Sequence, residues 1–274
     1  MDIAIDTIRA MDTAIASPEP TKPVTAKQRP LKRLAFEPGK MSMYDFHTHI
    51  LPDLDDGSRS VAESLEMLRE SARQGVTHLA ATPHFYPDFA SPDEFLAKRR
   101  ISWNQLVPHL EPGMPQIRLG AEVYYYEGIC RLNNILSLCI EGTNILLLEM
   151  PFAKWSPRMV DGLMELSGRW DIRVLLAHVE RYFTYQPEKI WDVLRQRGVL
   201  MQANGEFFLN RRTRRAAIKL LEHGGIHVLG SDCHDMSSRK PNLGETADLI
   251  TSKLGNDALA ALNIRGSELF GKMD

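Results

Sequence analysis

From Tyr44 onward, short apolar runs alternate with longer segments of helical period, and this alternation restricts the chain to βα units built around a parallel sheet. The runs expected to form strands are Tyr44–Phe46, Val76–Ala81, Ile117–Ala121, Ile145–Leu148, Ile172–Ala177, Val199–Ala203 and Ile226–Gly230. Helical punctuation lies between them. Ser60 and Glu63 have capping-box spacing, Val61, Leu65, Leu68 and Ala72 form one apolar stripe, and Gly75 ends the segment. Ser91-Pro92 and Ser156-Pro157 each place an N-cap residue before a proline suited to the first helical position. Seven repeats predict an α/β fold closed into a barrel one unit short of the eightfold kind, with an open doubly wound sheet as the alternative.

Residues 1–42 do not share this pattern. The stretch TKPVTAKQRPLKRLAFEPGK is rich in Pro and Lys/Arg without a sustained period, so it is expected to be a flexible N-terminal extension, with the folded domain at 43–274. Met41 and Met43 stand just before the first strand, which raises the expectation that translation starts there. The beginning of the chain lacks a basic segment followed by an apolar block, and no apolar run approaches the length of a membrane span. Three cysteines, Cys130, Cys139 and Cys233, make neither a CxxC pair nor an even framework, which fits reduced thiols in the cytoplasm. With 33 Lys plus Arg against 35 Asp plus Glu, no global positive field exists to grip nucleic acid.

Nearly every strand run is followed by a residue able to bind a metal. In order these are His47 and His49, then His84, Glu122, Glu149, His178, Asn204, and Asp232 with His234. The C-terminal ends of parallel barrel strands converge on one mouth, so groups distant in sequence are expected to meet there. His47 and His49, like Asp232 and His234, are two apart, which in extended chain turns both side chains to one side. Imidazoles mixed with carboxylates suit Mn²⁺, Fe²⁺, Zn²⁺ or Mg²⁺, and the surplus of carboxylates suggests more than one ion with a bridging Glu. His78, His109, His223 and His227 lack such partners and are read as packed or solvated residues.

The segments DFHTHILPDLDDG, ATPH at Ala81–His84, GAE at Gly120–Glu122, LLLEMPF, AHVERY and SDCHD followed by Arg239 appear in order. Together they resemble the polymerase and histidinol phosphatase (PHP) superfamily, and within it the bacterial manganese-dependent protein-tyrosine phosphatases encoded with capsule and exopolysaccharide genes. The resemblance covers roughly residues 43 to 250 and implies a distorted seven-stranded (β/α)7 barrel with up to three metal ions, Mn²⁺ first among them. It implies one ion on His47, His49, Glu122 and Asp232, a second on Glu122, Glu149 and His178, and a third on Asp56, His84 and His234. Asp53 and Asp55 are the neighbours set aside in favour of Asp56. Arg181 and Arg239 would clamp the phosphoryl oxygens while a metal-bound hydroxide attacks phosphorus. The partner implied is a tyrosine-phosphorylated protein, specifically a bacterial tyrosine autokinase. One departure is Val179, where the family usually has proline. The alternatives are a small-molecule phosphatase acting, for example, on histidinol phosphate, and a non-catalytic metal-stabilised docking module.

Two further patterns have bland readings. Cys233 and Arg239 have the C-x5-R spacing of thiolate phosphatases, but HDMSS between them has no glycine for a phosphate-cradling loop. The run Arg211, Arg212, Arg214, Arg215 and Lys219 is expected to be a solvated face, or else a dock for acidic segments.

Overall fold

The computed structural model describes residues 42–271. The N-terminal extension, and with it the start at Met41, lies outside the described residues apart from Ser42.

The described chain is a mixed α/β fold around a curled parallel sheet. Its nine strand segments are β1 (Met43–Thr48), β2 (Val76–Ala81), β3 (His84–Phe85), β4 (Gln116–Leu119), β5 (Glu122–Tyr124), β6 (Ile145–Glu149), β7 (Arg173–Leu176), β8 (Leu200–Asn204) and β9 (Val228–Gly230). They form two sheets in the orders β1-β2-β4 and β3-β5-β6-β7-β8-β9, every pair parallel. This order follows the sequence without the reversal that an open doubly wound sheet carries, so the alternative architecture is set aside.

The sequence predicts seven strands, and the difference lies at two interruptions. Pro83, which has no N–H to give a ladder, separates β2 from β3, and Gly120-Ala121 separates β4 from β5. Hydrogen bonds step across both gaps, from Gly120 N to Ala81 O at 2.8 Å and from Glu122 N to Pro83 O at 3.0 Å. The expected run Ile117–Ala121 therefore straddles a break and stops one residue short of Glu122.

Curling is visible in the core. Phe46 of β1, Ala80 of β2, Ile145 and Leu147 of β6, Leu175 of β7, Leu200 of β8 and Val228 of β9 share one buried cluster with Leu269 and Phe270. β1 also packs against β9, at the opposite end of the strand order, which a flat sheet with strands about 4.8 Å apart would hold far from it. The alternate residues Leu146, Leu148, Val174 and Leu176 face a second cluster with Leu163 and Leu166 of a covering helix. At the far edges, His49 N donates to Cys233 O at 2.9 Å and Asp232 N to His47 O at 2.8 Å, linking β1 to the segment after β9.

The helices are α1 (Val61–Arg73), α2 (Pro92–Leu106), α3 (Pro157–Ser167), α4 (Lys189–Gln196), α5 (Gly205–Leu209), α6 (Arg214–Glu222), α7 (Leu243–Leu254) and α8 (Asn256–Phe270). Ser91 and Ser156 cap α2 and α3 before proline, as expected. The α1 start differs in part: the Ser60 hydroxyl accepts from Glu63 N, but the Glu63 carboxylate accepts from Arg59 N instead of closing a capping box. The buried face of α1 is Ser64, Met67, Leu68 and Ser71; of the expected stripe, Leu68 is buried and Val61 and Leu65 pack partly buried against the same core. Buried serine is tolerated because Ser64 bonds to Ser58 and the Ser60 carbonyl. Among the described residues no helix is long and apolar enough to cross a membrane.

Candidate metal centre

Strand ends place the site. Asp45 and His47 alternate along β1, with His49 just beyond it; His84 opens β3, Glu122 opens β5, and Glu149 closes β6. His178 follows β7 and Asp232 follows β9, both in left-handed backbone conformation (φ 32° and 54°). Such a conformation is costly for residues with a Cβ and recurs where surrounding structure fixes a functional side chain. Gly230 lets these strands approach, since a Cβ there would stand 2.6 Å from His47 Cβ and from Gln202 Nε2.

All nine expected ligand residues converge. His47 Nε2 lies 3.1 Å from His49 Nε2, 3.2 Å from Glu122 Oε2 and 3.5 Å from Asp232 Oδ1. His178 Nε2 lies 2.9 Å from Glu122 Oε1 and 3.4 Å from Glu149 Oε1. Asp56 Oδ1 is 3.3 Å from His84 Nε2 and 3.4 Å from His234 Nε2. Four groups have ligand atoms within 4.8 Å of one another: His49, Asp56, His84 and His234; His47, His49 and Asp232; His47, Glu122 and His178; and His84, Glu122 and Glu149. Compared with the expected partition, His49 also joins the Asp56 group, and His84 also reaches Glu122 and Glu149.

Electrostatics bind the cluster together. Burial would lower the proton affinity of His49, but the Asp55 carboxylate more than offsets it and holds the imidazole at about 9. His178 is likewise pushed up to about 9 against burial by hydrogen bonds to Glu122 and Glu149, and His84 to about 11 by Asp56 and Glu122. His234 moves the other way, to about 4, through burial and the neighbouring His49 charge. Burial raises the Glu122 and Asp232 carboxyls, yet the surrounding imidazoles hold both well below the usual carboxylate range.

The donor set fits divalent cations. Glu122 Oε2, His84 Nδ1 and His234 Nε2 are buried and have no hydrogen-bond partner among the described residues. Glu122 Oε2 and His84 Nδ1 even approach to 2.8 Å without hydrogen-bond geometry. Buried polar atoms without partners are expensive, and this concentration of imidazole nitrogen and carboxylate oxygen matches borderline and hard divalent ions.

Both expected arginines flank the cluster. Arg181 Nη2 donates to Asp232 Oδ2 at 2.6 Å, and Arg239 Nη2 stands 2.8 Å from Asp232 Oδ1, each half-exposed on the outer side. Cys233 is fully buried, and burial together with the Asp45 charge pushes its thiol far up. The N–H groups of Ser237, Ser238 and Arg239 donate to Asp235 Oδ1, so the loop holds its own carboxylate where a thiolate phosphatase would hold phosphate. That removes the C-x5-R reading.

Four supporting residues escaped the sequence reading. Asp55, set aside as a ligand, accepts from His49 Nδ1 at 2.7 Å and from His84 N at 3.0 Å. Gln202 Oε1 accepts from His178 N at 2.7 Å and lies 3.2 Å from His47 Nδ1. The Tyr182 hydroxyl, which accepts from Met150 N, is 3.3 Å from His178 Nδ1. Asp45 accepts from Ser231 N and His47 N. Alternation could have found Gln202 and Asp45, which stand two residues from Asn204 and His47 on the same strand faces. Val179, in the position of the missing proline, is buried in the core. His78 stacks on Tyr44, and the His223 ring bonds to the Lys219 carbonyl; neither joins the cluster. Arg214 caps the end of α5 through the Phe208 and Leu209 carbonyls, a structural use the basic run did not suggest.

Several known proteins are similar to this chain. The tyrosine-protein phosphatase CpsB of Streptococcus pneumoniae is 29% identical over 224 residues, covering 78% of this chain and 91% of that protein. The tyrosine-protein phosphatase YwqE of Bacillus subtilis (strain 168) is 26% identical, covering 78% and 86%. A chain from the crystal structures of YwqE from Bacillus subtilis and CpsB from Streptococcus pneumoniae, unique metal-dependent tyrosine phosphatases, shares the fold with a TM-score of 0.72 at 23% identity, covering 83% of this chain and 94% of that one. The profile of the family described as capsular polysaccharide synthesis, CpsB/CapC, matches residues 43–269, and the chain belongs to that family.

Proposed function

We propose that this protein is a metal-dependent protein-tyrosine phosphatase that reverses a bacterial tyrosine autokinase in polysaccharide assembly. The observation that carries the reading is the convergence of His47, His49, Asp56, His84, Glu122, Glu149, His178, Asp232 and His234 beside two arginines that share Asp232. The two family relatives described above, both named as tyrosine-protein phosphatases, support it.

Those nine residues would hold up to three divalent ions, Mn²⁺ in the first instance. When bound, the ions would supply a water of lowered proton affinity and offset the charge of the phosphoryl group. The chain's own residues do the rest. Asp55 and Gln202 occupy the outer nitrogens of His49 and His47 and turn their Nε2 atoms inward. Arg181 and Arg239, fixed on Asp232, present their remaining N–H groups to the equatorial oxygens of the substrate, where planar guanidinium can bond two at once. A phenol with a pKa of about 10 leaves as phenolate more readily than an alcohol would, which lessens the need for a protein acid.

Counting β2 with β3 and β4 with β5 as interrupted strands gives seven strands, and the Thr48–Cys233 bridge supports reading them as a closed, distorted (β/α)7 barrel. Residues 1–42 are proposed to be an extension to a catalytic domain at 43–274. Three unpaired cysteines suit a cytoplasmic location. The test is to compare kcat/KM of the Mn²⁺-loaded protein for a phosphotyrosyl peptide and for histidinol phosphate. The phosphatase reading predicts a preference for the peptide; faster turnover of histidinol phosphate, or of neither, contradicts it.

A further inference from the structure

The loops at the strand ends carry aromatic surface that the core does not use. Among the described residues the exposed large aromatics are Phe89 (85%), Phe152 (44%), Trp170 (95%) and Tyr185 (43%). Phe89, Phe152 and Tyr185 follow the C-terminal ends of β3, β6 and β7, on the side of the metal cluster; Trp170 alone stands before a strand. A single exposed phenylalanine needs no explanation, but an exposed ring in contact with a candidate metal ligand does.

Phe152 is the best placed. Its ring lies 5.5 Å from the His178 ring, and it stacks on Tyr182 at 5.8 Å with an interplanar angle of 22°. Arg181 Cζ stands 5.7 Å from its centroid. Tyr182 is itself fully buried and tied through its hydroxyl to Met150 N, so the support under Phe152 is rigid. Across the candidate ligands, Tyr86 stacks on His84 at 5.1 Å and 28°, and lies 5.6 Å from Tyr124. Two aromatic rings therefore touch candidate metal ligands, and one of them also touches the candidate phosphate clamp.

We propose that Phe152, together with Tyr86, forms an aryl subsite that selects aryl over alkyl phosphate monoesters; this rests on the phosphatase reading. In an aryl phosphate the ester oxygen joins phosphorus directly to the ring. A phosphoryl group held by Arg181 thus brings its ring to the aromatic side chain that Arg181 already covers. The ring meets a fixed partner in offset or edge geometry, whereas an alkyl ester offers no π face. Tyr182, stacked on Phe152 from the buried side, backs this wall.

The test uses phenylphosphonate and methylphosphonate, which carry the same charged group and differ in the ring. Binding of each to the metal-loaded full chain is measured by calorimetry for the wild type, Phe152→Ala and Phe152→Tyr. The wild type should favour phenylphosphonate, Phe152→Ala should shrink that preference by about fivefold to tenfold, and Phe152→Tyr should keep it. An unchanged preference in Phe152→Ala, no preference in the wild type, or binding of neither probe overturns the subsite. Equal weakening of both probes also overturns it, by assigning Phe152 to holding Arg181. Failure of the phosphatase reading looks different: an aryl preference would persist without turnover of any phosphotyrosyl peptide.

Discussion

An imidazole has two nitrogens, and in this site the protein decides which one faces inward. His49 gives its Nδ1 proton to Asp55, and His234 gives its own to the Asp232 carbonyl, so in each case Nε2 turns toward the cluster. Asp55→Asn keeps the size but removes the charge that orients His49. Metal affinity should fall by about 10- to 100-fold while the fold persists, checked by metal titration beside a thermal melt; unchanged affinity would show that His49 needs no such partner. Residues of this outer layer were only half legible. HxH at His47 and His49 and the acids and imidazoles after each strand carry a visible spacing, because side-chain direction in an extended segment follows from counting. Which member of Asp53, Asp55 and Asp56 faces the cluster cannot be counted, since the intervening loop is irregular and one of its residues, Asp53, has φ of 53°. Cys233 marks the opposite case, a suggestive spacing that burial disarms. Cys233→Ser should therefore retain most phosphopeptide turnover, whereas Arg239→Ala should lose at least about tenfold through weaker binding of the developing charge. A folded, metal-loaded serine variant without activity would restore the thiolate reading.

Elements were legible where apolar period and caps agree, as for β2, whose limits match the expectation residue for residue, and for α2 and α3 with their serine caps. They were illegible where tertiary context overrides pattern. The breaks after β2 and β4 bring His84 and Glu122 to the start of new segments, and α1 turns Ser64 inward because the Ser58 hydroxyl and the Ser60 carbonyl satisfy it. The entry to β9 shows what one histidine does for an element. His227 Nδ1 accepts from Met201 N at 3.0 Å, a role that only the neutral ring can fill. Burial, reinforced by the positive charges of Arg265, Arg195 and Arg173, lowers this imidazole from 6.5 to about 4. Between those values the unfolded chain binds a proton that the folded chain refuses, so the stability from this site is present above 6.5 and is lost as pH falls toward 4. The ceiling is about 3 kcal/mol. Denaturant unfolding of wild type and His227→Gln at several pH values should show a stability difference that shrinks over this window; a difference independent of pH would contradict the assignment.

At the scale of the molecule, the curl of the sheet turns a list of separated residues into a site. With β2 and β3, and β4 and β5, taken as interrupted strands, successive strands are neighbours in space, the first is hydrogen-bonded to the segment after the last, and the residues at the two breaks, at the ends of β1 and β6 and just beyond β1, β7 and β9 meet in one cluster. A packing this buried and this charged would be a liability without divalent ions to balance its carboxylates and occupy its partnerless nitrogens. Metal should therefore link stability and catalysis, because ions that bind only the folded chain stabilise it by mass action. The most direct test is phosphotyrosyl-peptide turnover by the full chain, first stripped of metal to a level verified by mass spectrometry and then titrated with Mn²⁺. Activity should disappear with the metal and return in proportion to occupancy; full turnover by the verified metal-free protein would contradict the account.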